Sequence, residues 1–282
     1  MPVTPNPVLG LLLRLGVFVF VFFILVWALP GLMLPLGGYL VAAALGTFAA
    51  AATANGLALR IFERGQLADI GLGWSRASRR NLSIGLLGGL GAGLIVVFGA
   101  IAVRAADLQS IPGEKTQWPR IAFVSVVLLF GAAGEEMLFR GYAFQILVRA
   151  IGPFATILPV SVVFGLAHLN NHNTNTLAIL NTVLWGVVLG YAFTLSGDLW
   201  LPTGLHFGWN WVLPLLGVNL SGFTMKLTGY TVHWYTSALW SGGEYGPEGG
   251  LPTTAVVVLL FVFLSKARIE KQDAFLLRAR EA

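Results

Sequence analysis

The sequence predicts an all-α fold: a polytopic integral membrane bundle of about eight transmembrane helices. Hydrophobic residues make up 56% of the chain and charged residues only 10%, whereas soluble domains carry about 25% charged residues. Apolar runs also recur along the chain, several of them near the roughly 20 residues that span a bilayer. The 35 glycines and 9 tryptophans agree with this class, because membrane helices tolerate Gly and Trp favours the headgroup region.

The apolar runs define the predicted helices in order. They lie at about 11–29, 36–59, 83–103, 121–142, 154–169, 177–196, 199–217 and 251–265. The fifth and the last are short for a crossing, so seven spans remain an alternative to eight. Small residues at 85–93 predict close packing of the third helix against a neighbour. The sequence shows no repeat or second domain, and we expect a single integral membrane domain over 1–282.

The distribution of Lys and Arg predicts the orientation of the helices. A topology with both termini in the cytoplasm places the richer loops inside in every case, as the positive-inside rule requires. We expect the cell (plasma) membrane as the location. The net charge of +5 is then a topogenic signal, and no nucleic-acid partner is expected. The basic residues of the predicted cytoplasmic segments are Arg60, Arg64, Arg76, Arg79, Arg80, Arg140, Arg149, Lys266, Arg268, Lys271, Arg278 and Arg280.

The loop 217–250 is predicted to face outward. It is rich in aromatic residues, which suits a layer that lies on the bilayer surface. A role in gating access to the bundle stays open. The aromatic residues are Tyr230, Trp234, Tyr235, Trp240 and Tyr245.

Adjacent carboxylates are the most informative feature of the chain. Glu135 and Glu136 lie in an apolar stretch, where each ionised group costs about 2.5–3.5 kcal/mol on insertion scales. A helix turns by about 100° per residue, so the two cannot face the same way. Arg140 follows Glu136 at the spacing that brings side chains together, which predicts an ion pair. Glu135 has no such local cation, and its desolvation makes it a candidate proton acceptor and donor near neutral pH.

Further polar residues of catalytic type lie on later helices. The fifth run ends in FGLAH, with His168, and the seventh contains HFGWN, with His206 and Asn210 on one face. A lone histidine on an apolar helix is more often a hydrogen-bonded core residue. Such groups on separate membrane helices need one another as partners, however, so we expect them to converge on a common cavity.

The motifs EExxxR, FxxxH and HxxxN, in this order, resemble the CPBP family (CAAX proteases and bacteriocin-processing enzymes), which includes the type 2 CAAX prenyl endopeptidases. The resemblance covers about 121–216, the expected catalytic core. It implies an intramembrane endopeptidase that hydrolyses a peptide bond of a peptide or membrane-associated protein substrate. By this resemblance, Glu135 activates water, His168 holds or polarises that water, and His206 and Asn210 donate hydrogen bonds to the oxyanion. Glu136 and Arg140 form the supporting pair.

The sequence leaves a choice between metal-free and metal-dependent chemistry. Glu135, His168 and His206 match the ligand types of a catalytic zinc site. The zinc-protease motif HExxH is absent, and the absence of cysteine excludes thiolate ligands. We expect glutamate chemistry without a cofactor, with zinc as the alternative.

Two other classes of function remain alternatives. A non-catalytic membrane scaffold or immunity protein could bind a peptide in the same cavity. A proton-coupled transporter could also use buried Glu and His residues, although the chain lacks the recognisable halves that many transporters have.

The protease interpretation requires His168 to lie close to Glu135. If every helix crossed the bilayer straight, His168 would lie nearer the outer side than Glu135. We expect Pro153 and Pro159 to delay the start of the fifth helix, which would bring His168 to the depth of Glu135. The mechanism requires a separation below about 10 Å, since a general base must reach its proton directly or through one water.

Overall fold

Helices dominate the computed structural model, which describes residues 6–272, 274 and 277. This confirms an all-α membrane bundle. Five helical segments of the described chain are long and apolar enough to cross a membrane: Pro7–Pro35, Gly37–Glu63, Arg76–Ala102, Trp118–Ile151 and Thr176–Ser196. The α-helices are α1 (Pro7–Ala58), α2 (Arg76–Ala102), α3 (Trp118–Arg140), α4 (Tyr142–Ile151), α5 (Pro153–Leu166), α6 (Thr176–Ser196), α7 (Trp200–Leu215), α8 (Ala238–Ser241) and α9 (Leu251–Lys266).

Helix α1 consists of two helices joined at a kink. Gly37 and Gly38 have non-helical backbone angles, and Gly38 adopts φ 76°, a conformation that favours glycine. Pro30 and Pro35 lie just before the kink, where each removes a backbone donor from the helix. The two halves correspond to the first and second predicted spans.

Helices α3 and α4 are separated by a break that the sequence did not predict. Asn55 of α1 holds this break, since its Nδ2 donates to the carbonyl oxygen of Met137 at 3.0 Å and its Oδ1 accepts from the backbone N–H of Tyr142 at 2.7 Å. A Cβ at Gly141 would collide with the Met137 carbonyl and the Asn55 amide. The apolar run 121–142 therefore ends as a helix at Arg140, and α4 follows as a separate element.

Helices α2 and α7 pack backbone to backbone. A Cβ at Gly85 or Gly89 of α2 would overlap a carbonyl oxygen of α7, and one at Gly204 or Gly208 of α7 would overlap a carbonyl oxygen of α2. Glycines on both helices thus allow the close approach that small residues give membrane helices. This confirms the packing predicted for 85–93 and fixes the depth of α7 in the bundle.

Loops that were predicted to share a side of the membrane meet in the structure. Strands β1 (Ala106–Ser110) and β2 (Tyr230–Trp234) form an antiparallel two-stranded sheet, which joins the two long loops predicted to face outward. At the opposite end, the Asp198 carboxylate accepts hydrogen bonds from Asn81 and Gln272. The grouping of the loops follows the prediction, whereas the small sheet was not foreseen.

The loop 217–250 is only in part a surface layer. Tyr230, Tyr235 and Trp240 are about half exposed or more, as an interfacial layer requires. Tyr245 is 1% exposed, so its assignment to that layer was wrong. The segment around it folds inward against the bundle, which brings the loop into contact with the cavity described below.

Candidate active site

Glu135 lies between two imidazole rings that come from different parts of the chain. Its Oε2 is 3.9 Å from Nε2 of His168 and 3.8 Å from Nε2 of His206. Glu135 is on α3, His168 in the turn after α5, and His206 on α7. The expected convergence of these polar groups is therefore observed.

Helix α5 brings His168 to Glu135 for a reason other than the one predicted. The helix begins at Pro153 and contains Pro159 in its interior, so the expected delay of its start was wrong. Its 14 residues extend only about 21 Å, which is less than the ~30 Å of the hydrocarbon core. The chain therefore turns before it completes a crossing, and His168 lies in that turn.

The hydrogen bond of His168 fixes which ring nitrogen carries the proton. Its Nδ1 lies 2.8 Å from the carbonyl oxygen of Phe164. A carbonyl oxygen only accepts, so Nδ1 is the donor. In the neutral ring, Nε2 then carries the lone pair on the side of Glu135.

Glu136 contacts both Arg140 and His206. Nη1 of Arg140 lies 3.3 Å from each carboxylate oxygen of Glu136, which confirms the predicted ion pair. Nδ1 of His206 lies 2.8 Å from Glu136 Oε1. Sequence reasoning missed this second contact, because no spacing rule links residues so far apart in the chain.

Arg140 is completely buried and held on several sides. Its Nη2 donates to the carbonyl oxygen of Gly186 at 2.9 Å, and its guanidinium carbon lies 4.9 Å from the centre of the Phe164 ring. Because Phe164 also accepts the His168 hydrogen bond, this residue connects the charge pair of α3 to the histidine of α5.

The cluster lies in the wall of a cavity of about 770 Å³, within the usual range for ligand sites. Glu135, His168, His206 and Asn210 all line it. Asn210 follows His206 by one helical turn on α7. The rest of the wall is mainly apolar and includes Phe18, Phe22, Leu138, Val160 and Val163.

Sequence reasoning also missed Glu248, a further carboxylate in the cavity wall. Its Oε1 accepts from Nε1 of Trp209 at 3.1 Å, and its Oε2 accepts from the backbone N–H and the hydroxyl of Ser221. Glu248 precedes α9 in a glycine-rich part of the loop 217–250. Its one signal in the sequence was its place as one of two acidic residues, with Glu244, in that loop.

The donor set near Glu135 fits zinc in type but not in placement. Zinc bonds of about 2.0–2.2 Å to oxygen and nitrogen would hold two ligand atoms roughly 3.3–3.5 Å apart in a tetrahedral site. The separations from Glu135 to the two histidines are 3.9 and 3.8 Å. Within the described residues, no group of three His, Cys or acidic side chains has the geometry of a metal site.

Comparison with known proteins identifies the motif-bearing segment. No curated protein shows significant similarity to the chain. Residues 116–212 match the family model of the type II CAAX prenyl endopeptidase Rce1-like proteins. The match runs from the start of α3 into α7, contains all three motifs, and indicates a protease. Together with its apolar helices, this match makes the chain similar over 116–212 to the type II CAAX prenyl endopeptidases and points to an integral membrane protein.

Proposed function

We propose that the chain is an intramembrane endopeptidase in which Glu135 activates a water molecule to hydrolyse a peptide bond. The arrangement of Glu135 carries the proposal. Its Oε2 is buried without a hydrogen-bond partner among the described residues, and it faces two imidazole nitrogens in the wall of a cavity. A base in the wall of a cavity, next to groups that can bind water, is what amide hydrolysis requires.

Glu135 and His168 act on the attacking water. The water donates one hydrogen bond to the Glu135 carboxylate and the other to the lone pair on Nε2 of His168. Glu135 takes the first proton as the water oxygen forms a bond to the carbonyl carbon. The same proton passes to the amide nitrogen as the carbon–nitrogen bond breaks. Glu135 therefore returns to its carboxylate form at the end of each cycle.

His206 and Asn210 stabilise the oxyanion. Nδ1 of His206 faces a carboxylate oxygen of Glu136, so its Nε2 can donate only when the ring is an imidazolium. Charge balance favours this form, because the carboxylates of Glu135 and Glu136 face one guanidinium. The Asn210 side chain supplies a second donor from the same face of α7. Donors fixed in advance at the site of developing charge are a major source of catalysis.

Glu136 and Arg140 support the site without touching the substrate. The Arg140 guanidinium compensates the charge of Glu136 in a fully buried pair. Glu136 in turn orients the His206 ring and stabilises its charged form. We also propose that the reaction needs no cofactor, because side chains supply the base, the hydrogen-bond donors and the balancing charges.

The shape and composition of the cavity suit a membrane-associated peptide. An apolar wall with a few convergent polar groups orients a ligand while burying its hydrocarbon parts. The family description names prenyl CAAX substrates, and we propose a peptide or protein with an apolar segment or lipid chain for this chain. We also propose the plasma membrane as its location, with both termini in the cytoplasm.

Peptide cleavage by the purified protein in detergent tests the proposal. Prenylated and unmodified peptide libraries are compared for wild type, Glu135→Ala and Glu135→Gln, with and without a chelator. Cleavage that both substitutions abolish and the chelator leaves intact supports glutamate-activated water. Loss with the chelator favours a metal enzyme, and cleavage that persists in both variants removes Glu135 from the mechanism. A peptide that binds wild type but is never cleaved favours the non-catalytic scaffold.

A further inference from the structure

Within the described residues, Glu248 and the buried Asp198 lack the cationic partner that Glu63 and Glu136 have. Glu63 pairs with Arg14 at 3.3 Å, and Glu136 pairs with Arg140 at 3.3 Å. Glu248 has no Lys, Arg or His within 4 Å in the part of the chain that the structure describes. A carboxylate removed from water without a cation is costly. No ion pair among the described residues therefore neutralises this carboxylate, and His168 acts on it electrostatically from farther away.

Hydrogen bonds hold the Glu248 carboxylate in a defined orientation and leave an acceptor site for a ligand. Two donors reach Oε2 and one donor reaches Oε1, whereas a carboxylate offers about four acceptor sites. Burial raises the pKa of Glu248, and the hydrogen bonds from Trp209 and Ser221, together with the electrostatic influence of His168, oppose that rise. A cationic group in the cavity would offset the cost of burial and occupy the remaining acceptor site.

Aromatic rings provide a second feature suited to a cation. Trp185 and Trp209 line the same cavity as Glu248, and their ring centres are 5.0 Å apart. Indole rings attract ammonium and guanidinium groups. Trp185 is 6% exposed and Trp209 2%, so each ring presents only a small area beside Glu248. Trp209 also connects this region to the catalytic cluster, since it donates to Glu248 and lies between His206 and Asn210 on α7.

We infer that Glu248, with the indoles of Trp185 and Trp209, binds a lysine or arginine side chain of the substrate near the scissile bond. The inference rests on the proposed function and narrows its substrate class: a peptide that joins a cationic residue to an apolar segment. The cationic residue enters the end of the cavity formed by Glu248 and Ser221, while the apolar segment lies along the hydrocarbon wall.

Peptide binding, measured without cleavage, tests the inference. The background is Glu135→Gln, so that the peptides stay intact. Labelled eight-residue apolar peptides carry either lysine or the uncharged norleucine at each position in turn, with acetylated amino termini. A separate norleucine peptide with a free amino terminus distinguishes a terminal ammonium from a side chain. Fluorescence anisotropy in nanodiscs gives the affinities.

At one or more positions, we expect the lysine peptide to bind about tenfold more tightly than its norleucine partner, the scale of a charge-assisted hydrogen bond. Glu248→Gln should remove this difference. Glu244→Gln, an exposed acidic residue in the same loop, should retain it. If Glu248→Gln does not fold, Glu248→Asp replaces it, and the shorter side chain should reduce the preference.

Equal affinity for the two peptides, absence of binding, or a lysine preference that survives Glu248→Gln would overturn the inference. A preference confined to the free amino terminus would also overturn it, because the ligand would then not be a side chain. A different result would contradict the proposed function alone: wild type would bind the lysine peptide with the expected preference but would not cleave it.

Discussion

His206 bridges two neighbouring carboxylates. Its Nδ1 lies 2.8 Å from Glu136 Oε1, and its Nε2 lies 3.8 Å from Glu135 Oε2. Adjacent residues on a helix point in different directions, so one ring can contact both only by lying between them. The two adjacent carboxylates, Glu135 and Glu136, therefore have different surroundings. One carboxylate holds the histidine, and the other faces the space where water and substrate would react.

Glu136→Gln should lower kcat while leaving KM nearly unchanged. The neutral amide would no longer stabilise the charged form of His206, which is the proposed oxyanion donor and would act only in the transition state. Loss of one charge-assisted hydrogen bond, about 1.5–3 kcal/mol, corresponds to a decrease of roughly 10- to 100-fold. Steady-state kinetics with a peptide that wild type cleaves measure this decrease. An equal rise in KM with unchanged kcat would assign Glu136 to substrate binding instead.

Asn210→Ala should lower kcat by about 10²–10³, the usual cost of removing one oxyanion donor. Asn210 is partly buried and lies in the cavity wall, so little loss of stability is expected. Activity and thermal unfolding are measured on the same preparation. Full activity in a correctly folded Asn210→Ala protein would leave His206 as the sole proposed donor.

Arg140→Met should destabilise the protein strongly. The substitution removes the guanidinium from the buried pair and leaves Glu136 with only the His206 ring as a cationic partner, and breaking a buried pair typically costs about 3–5 kcal/mol. Thermal unfolding in detergent should show a clear decrease in Tm. The double variant Glu136→Gln, Arg140→Met should recover part of that decrease, since no unpaired charge remains. A double variant less stable than Arg140→Met would contradict this explanation.

Cysteine labelling tests the orientation, because the natural chain has no cysteine. Ser110 in β1 and Ala68 in the loop after α1 are both exposed. A membrane-impermeant maleimide should label Ser110→Cys in intact cells and label Ala68→Cys only after the membrane is opened. The reverse pattern would invert the proposed topology.

The main features of the site could be predicted because membrane burial makes polar residues conspicuous. The sequence marks four polar residues in apolar runs: Glu135, His168, His206 and Asn210. In the structure, His168 and His206 each lie within 4 Å of Glu135. The Glu136–Arg140 pair followed from helix geometry alone.

Other features depended on contacts between distant parts of the chain. The break at Gly141 requires Asn55, and the contact of Glu136 with His206 joins α3 to α7. Glu248 lies in a loop whose composition indicated a surface layer. Its position follows from the inward fold of that loop, which no local pattern indicated. The buried backbone N–H and C=O groups of a loop need hydrogen-bond partners, and these partners can lie far away in the sequence.

Gly89→Ala should reduce activity through the position of α7. The added methyl group would overlap the carbonyl oxygen of Leu205, so α7 must move away from α2, and His206 follows Leu205 directly. A shift of about 1 Å at a reacting group can cost roughly 10²-fold in rate. Gly91→Ala is the matched control on the same helix, because a Cβ there meets no atom within 4 Å. Kinetics and unfolding of the two variants should therefore differ sharply, although alanine raises helix propensity equally at both positions. Similar activity in both variants would show that the close α2–α7 packing does not set the position of His206.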